Sequence, residues 1–267
     1  MLINFSFDSQ NGWMGYKHAI TVDPPCNSFA LHTHSWYELI YFVRGDATYV
    51  IEDRKYKLNS GDIVFARPLE SHFIQIDSSA TYERFNIGFD ESTLGVAFSF
   101  LLDQKLDVIN LPKDSGTEEI FHRIDYYRQN LSYEEMGLLF PSVLRELLYN
   151  IMIASRGETV RAAMILNPIL SDAVAYINES LSTIKSVSEV AEHLFITESY
   201  LIRLFKRELH QTPKRYINSK RLLLAQTMLR RGERPTDVYA KCGFSDYTVF
   251  YRSYKQFFGK APSEDYR

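Results

Sequence analysis

The stretch Ser186–Leu209, SVSEVAEHLFITESYLIRLFKREL, decides how the C-terminal part of this chain is built. Val187, Val190, Ala191 and Leu194 recur at helical spacing, and so do Leu201, Leu204 and Phe205. Each run therefore presents a single apolar stripe. Ser188 is placed to cap the first helix and Thr197 the second. Only a tight turn fits between them, so the helices must cross steeply in a helix-turn-helix, whose second helix is shaped to enter a major groove.

The pattern recurs in looser form downstream. Residues Arg234 to Ala240 lead through Lys241-Cys242-Gly243-Phe244 to a second helix, Tyr247 to Phe257. Between the two units Pro213 to Arg231 reads as one helix, with proline at its start, Gly232 past its end and an apolar row of Tyr216, Ile217, Leu223, Leu224 and Met228. An ordered set of residues runs through both units. It comprises Ala191, Tyr200 to Lys206, Pro213, Tyr216-Ile217, Arg221-Leu222, Ala225, Leu229, Gly243 to Asp246, Phe250, Arg252, Lys255, Gly259, Pro262 and Tyr266-Arg267. This set resembles the DNA-binding domain of the AraC/XylS transcription regulators. Two positions depart from that pattern, His210 in place of a glycine and Tyr239 in place of an isoleucine.

The 267 residues suffice for two modest domains, and 45% hydrophobic with 24% charged residues is an ordinary globular balance. No apolar run reads as a bilayer span and no basic-then-apolar leader is visible, so a cytoplasmic protein without a membrane partner is expected. Cys26 and Cys242 stand far apart, which leaves neither a disulfide framework nor a cysteine zinc site. Net charge is −3, yet it divides unevenly. From Ser171 onward 16 Lys and Arg face 11 Asp and Glu, a net +5, whereas residues 1–170 carry 14 against 22, a net −8. A basic module joined to an acidic one suits a DNA reader with a sensor kept off the phosphates.

Residues 1 to about 90 read as short strands. Leu39–Val43, Tyr49–Ile51 and Ile63–Phe65 read as alternating strands, with turn signals at Arg44-Gly45-Asp46, Glu52-Asp53-Arg54 and Asn59 to Asp62. A small antiparallel barrel or sandwich is the expected result. Within it, His32-Thr33-His34 to Glu38 followed by Gly45 resembles the first cupin motif, and Gly61-Asp62 through Pro68 to His72 resembles a degraded second one. Helices follow from Leu94 to Arg156, one opening at Thr117 and another at Phe140-Pro141. Val143, Leu144, Leu147, Leu148, Ile151 and Met152 form a wide apolar face that either packs on the barrel or joins subunits. The fold class is α+β: an N-terminal, cupin-like antiparallel β-barrel with helices, then an all-α domain holding two helix-turn-helix motifs. The expected partition is 1–158 for sensing and dimerisation, 159–166 for a linker and 167–267 for DNA binding.

On the first recognition helix the apolar stripe leaves Ser199, Ile202 and Arg203 to read bases, with Lys206 and Arg207 toward phosphates. The second unit offers Tyr247, Thr248, Tyr251 and Arg252, with Phe250 and Tyr254 in its core. In the first domain His32, His34, Glu38 and His72 occupy the positions that the cupin resemblance assigns to metal ligands, a donor set that suits zinc, iron or manganese. An organic effector held by His32, His34, Trp36, Glu38 and His72, with Trp13, Tyr41 and Phe42 nearby, is the preferred reading, so no metal or cofactor is assigned. Trp36 and Phe42 share the parity of His34, Tyr41 points the other way, and core packing is preferred for Phe42.

The resemblance thus implies a sequence-specific transcription regulator, an activator controlled by a small metabolite such as a sugar. Its expected partners are double-stranded DNA, a second copy of itself and RNA polymerase. A metal-dependent cupin enzyme with a helical tail, and a regulator needing no effector, are the alternatives; a non-enzyme is preferred.

Overall fold

The computed structural model describes residues 2–9, 12–25, 29–90, 93, 106–111, 115–156 and 161–266. Cys26, Arg267, the stretch 94–105 of the expected helical region and 157–160 of the expected linker lie outside them. In chain order the strands are β1 (Leu2–Ser9), β2 (Gly12–Thr21), β3 (Tyr37–Arg44), β4 (Ala47–Ile51), β5 (Arg54–Lys57), β6 (Asp62–Ala66), β7 (His72–Ile76), β8 (Tyr82–Phe89) and β9 (Val108–Asn110). Helices α1 (Thr117–Asn130) and α2 (Tyr133–Ser155) follow, then strand β10 (Met164–Ile165). The remainder is helical: α3 (Pro168–Glu179), α4 (Val187–His193), α5 (Glu198–Leu209), α6 (Pro213–Arg230), α7 (Pro235–Lys241), α8 (Tyr247–Phe258) and α9 (Pro262–Asp265).

The strands form two antiparallel sheets, ordered β1-β2-β8-β3-β6-β9 and β10-β5-β4-β7. Among the described residues they do not close, so the expected barrel is an open sandwich, consistent with a cupin-like jelly roll. Strand β3 corrects the alternation expected for Leu39–Val43: the run is apolar without a break because both faces of the strand are buried. Ile40 and Phe42 point between the sheets with Tyr49, Ile51 and Ile74. Tyr37, Leu39 and Tyr41 point the other way, against Phe121, Leu144 and Leu148 of α1 and α2. The sensor therefore has three layers, and parity places Glu38 in the inner one.

Helix α2 corrects one expectation. It starts at Tyr133, where Ser132 and Glu135 cap each other through Ser132 N→Glu135 Oε2 at 2.8 Å and Glu135 N→Ser132 Oγ at 3.2 Å. Pro141 consequently lies inside the helix, not in its first turn. By length and composition Tyr133–Ile153 would also pass as a membrane span, contrary to the sequence reading. Its buried Leu144, Leu147, Leu148 and Ile151 sit in the sensor core while Arg145 and Glu146 are exposed, the pattern of a core helix. The apolar face thus packs on the sheet, as the plainer of the two readings had it.

A buried ionic cluster joins sheet to helix. His18 Nδ1 lies 2.6 Å from Asp125 on α1 and its Nε2 lies 3.1 Å from Glu83 on β8. Burial alone would lower the imidazole's pKa, but the two carboxylates outweigh it and raise it.

Candidate nucleic-acid interface and effector site

In the tail, Ser186 caps α4 and Thr197 caps α5, their hydroxyls accepting from Glu189 N and Tyr200 N, each at 3.2 Å. Ser188, expected as the first cap, instead donates to Glu198 across the turn. Val190, Ala191, Leu201, Leu204 and Phe205 pack with Leu170, Val174 and Ile177 of α3. That packing leaves Ser199, Arg203, Lys206 and Arg207 exposed and Ile202 half-buried. Arg207 leans on Glu208 at 2.6 Å, so its charge is partly spent locally.

The second unit repeats the plan around Val238, Cys242, Phe250 and Tyr254. Tyr247, Thr248, Tyr251 and Arg252 are exposed on α8, opposite its buried face. Gly243 shapes the turn. Its φ is +85°, and an added Cβ would lie 2.6 Å from Ser182 O and 2.9 Å from the Arg221 guanidinium, so only glycine fits. Arg221 in turn donates to Leu181 O at 2.8 Å and Ile184 O at 2.5 Å, which ties the two units together.

The effector residues converge where the two sheets meet. His32 and His72 form an isolated bridge, His32 N→His72 O at 3.1 Å and His72 N→His32 O at 2.9 Å. The ligand atoms of His32, His34, Glu38 and His72 all lie within 4.8 Å of one another. Every one of the three imidazoles places its Nδ1 on a backbone carbonyl: His32 on Ala30 at 3.0 Å, His34 on Trp36 at 2.8 Å and His72 on Glu70 at 2.9 Å. When Nδ1 carries the proton, the Nε2 lone pair is left facing inward. His34 Nε2 and His72 Nε2 are buried and lack an aligned hydrogen bond, although His72 Nε2 is only 2.9 Å from Glu38 Oε2. Burial pushes the Glu38 carboxyl up, but His34 and His72 override it and hold it well below the carboxylate range. Burial, helped by the neighbouring His72, lowers His32 to about 4, and burial also lowers His34. Burial would lower His72 as well, but the Glu38 carboxylate outweighs it and raises that imidazole. Three imidazoles, one carboxylate and a common centre are a donor set that fits a divalent transition ion.

Beside this cluster lies a cleft of about 410 Å³ lined by Trp13, Lys17, Trp36, Glu38 and Asn86 among others. Gly15, Gly88 and Glu38 stand in one row across β2, β8 and β3. The Trp13 ring covers both glycines, where a Cβ would come within 2.8 Å at Gly15 and 2.6 Å at Gly88. Trp36 packs 4.8 Å from Trp13 and stacks on His34 at 4.5 Å. Asn86 Nδ2 donates to Glu38 Oε1 at 2.5 Å, so Glu38 serves cleft and cluster with different oxygens. Phe42 is core, as preferred, and Tyr41 faces α1, where its hydroxyl donates to Glu118 at 3.0 Å.

Two family descriptions match this architecture, "AraC-like ligand binding domain" over residues 18–123 and "Helix-turn-helix domain" over 190–267. The chain belongs to the AraC family of transcription regulators. Among curated relatives it is similar to the HTH-type transcriptional activator RhaR of Cronobacter sakazakii, 24% identical over 85% of this chain and 82% of that protein. It is likewise similar to the activator RhaS of Escherichia coli, 23% identical over 92% and 91%. ToxT of Vibrio cholerae O395 aligns over 94% of this chain and 96% of its own, at 13% identity and a TM-score of 0.38. As an AraC-type regulator the protein combines a ligand-binding domain with a DNA-binding one.

In this AraC-type sensor, His32, His34, Trp36, Glu38 and His72 come together as expected. Lys17, Asn86 and the two glycines under Trp13 were not foreseen. Asn86 reaches Glu38 only because β8 pairs with β3, and no local spacing announces that.

Proposed function

We propose that this protein is a transcriptional activator whose N-terminal domain binds a small polar metabolite, with a sugar as the best-fitting class. The observation that carries this is the cleft itself, an indole pair on a glycine floor facing a carboxylate, an amide and a lysine. A flat apolar surface with a few directed polar groups grips a hydroxylated ring. The relatives named transcriptional activators support the sign of regulation. The active form is a homodimer that works with RNA polymerase in the cytoplasm, divided as 1–158 for sensing, 159–166 for the linker and 167–267 for DNA. Chemistry is not assigned to it.

The reader should prefer an asymmetric site, because α5 and α8 present different side chains. Selection from a random duplex pool by the full chain should enrich two unlike sub-sites about 34 Å apart on one face. Enrichment of no motif at moderate salt would sink the regulator reading.

One observation favours a metal in the same domain: three backbone-anchored imidazoles aim at Glu38. Such an ion would supply fixed positive charge and open positions for a metabolite's oxygens. The expected result is one zinc or manganese per chain after dialysis against the metal, with a saturable rise in Tm, and neither in His34→Ala. No uptake by the unaltered protein would return the cluster to the organic ligand alone.

A further inference from the structure

The helix that joins the two DNA-binding units is clamped to the sensor by buried polar groups. Glu52 sits in the β4–β5 turn with φ +56° and is 3% exposed. Its carboxylate accepts from Ser71 N at 2.5 Å and lies 2.9 Å from Lys220 Nζ of α6. Tyr216, one turn earlier on α6, donates its hydroxyl to the other oxygen. Lys220 is equally buried, at 4%, and stands over the Tyr216 ring. A second junction lies further along α6, where Ser35 Oγ donates to Gln226 Oε1 at 3.0 Å and Arg230 reaches Ser35 at 3.5 Å.

Both junctions begin beside the effector cluster. Ser35 follows His34 directly, and Ser71 precedes His72. Thr33 and Ser71 also meet, Oγ1 to Oγ at 2.9 Å, so the two loops form one unit. A shift of the cluster therefore moves the residues that hold α6.

We propose that Glu52, Lys220 and Tyr216 form an autoinhibitory latch that docks α6 on the sensor and weakens DNA binding until the cluster loops move. This rests on the regulator reading above and names how its sensor site is coupled to its reader. Two physical arguments support it. A buried ion pair regains hydration when it opens, so the net cost of opening is modest and the contact suits a switch. The docked reader also lies against the acidic N-terminal part of the chain, residues 1–170 with net charge −8, whose field opposes incoming phosphates.

The test compares the full chain with Glu52→Gln, a substitution that leaves every residue of the reader intact. It strands the Lys220 ammonium in the interface. The radius of gyration from small-angle scattering should rise, and affinity for a labelled mixed-sequence duplex at fixed salt should increase on the order of tenfold. The double variant Glu52→Gln/Lys220→Met leaves no orphan charge, and it should return both readings toward those of the unaltered protein. That separates release from misfolding. Unchanged scattering and affinity in Glu52→Gln would overturn the latch. Expansion with weaker DNA binding would overturn it as well, since docking would then assist the reader. A protein that binds no duplex in any form would instead refute the regulator reading, and the scattering arm would still decide whether the latch holds.

Discussion

Replacing Asp265 by alanine is expected to destabilise the second helix-turn-helix unit strongly while leaving the first in place. Asp265 is 4% exposed and gathers four donors: Tyr254 Oη at 2.7 Å, Lys260 Nζ at 2.9 Å, Gln226 Nε2 at 3.1 Å and Arg230 Nε at 3.2 Å. These tie α9 to α8 and α6, closing the core around Phe250 and Tyr254. Burial pushes the carboxyl up, but the donors prevail and depress its pKa. Its stabilising contribution is thus present above about pH 3.9, the unfolded value, and is lost as pH falls through the depressed folded value. Removing the carboxylate strands a buried phenol and amide beside two cations. Breaking a buried charged network in this way costs about 3–5 kcal/mol, or on the order of 15 °C in the Tm of a domain this size. Thermal melts followed by circular dichroism check it. Asp265→Asn, which keeps an acceptor for Tyr254, should fall between the two. A loss below about 1 kcal/mol in the alanine variant would mean that α9 does not close the unit.

Arg203→Ala is expected to blur one base position and weaken specific binding by about 1–3 kcal/mol, the worth of a bidentate guanine contact. Arg203 is exposed on α5, next to the half-buried Ile202, so its loss should leave stability within about 0.5 kcal/mol. Lys206→Ala serves as the contrast. As a phosphate contact it should weaken all duplexes alike and reduce the salt slope by about 1. Anisotropy titrations on a selected site and on its point variants distinguish the two. Equal loss on every sequence from Arg203→Ala would move that residue to the backbone and leave base reading to Ser199 and Ile202.

The reader was legible because it is local. A period near 3.6, hydroxyl caps at Ser186 and Thr197, and glycines at helix ends are written within a few residues of where they act. Even there Ser188 reads as the cap where Ser186 holds the position, since two serines bracket the same valine. The helix with Pro141 misled for a related reason: proline marks a first turn by preference, yet the Ser132–Glu135 pair had already started the helix. In the sensor, strand positions were legible but closure was not, because sheet pairing depends on contacts between residues far apart in the chain. The buried polar face of α6 was hidden for the same cause. Ser219, Lys220 and Gln226 look like a solvated helix surface, yet all three are buried, Lys220 against Glu52 of the sensor and Gln226 between Ser35 of the sensor and Asp265.

Glu38 offers one oxygen to Asn86 in the cleft and the other to His72. A guest that engages the first oxygen would redistribute charge on the second, so an ion among the imidazoles and a metabolite beside the indoles would be thermodynamically linked. Whatever factor one imposes on the other's dissociation constant is returned in equal measure.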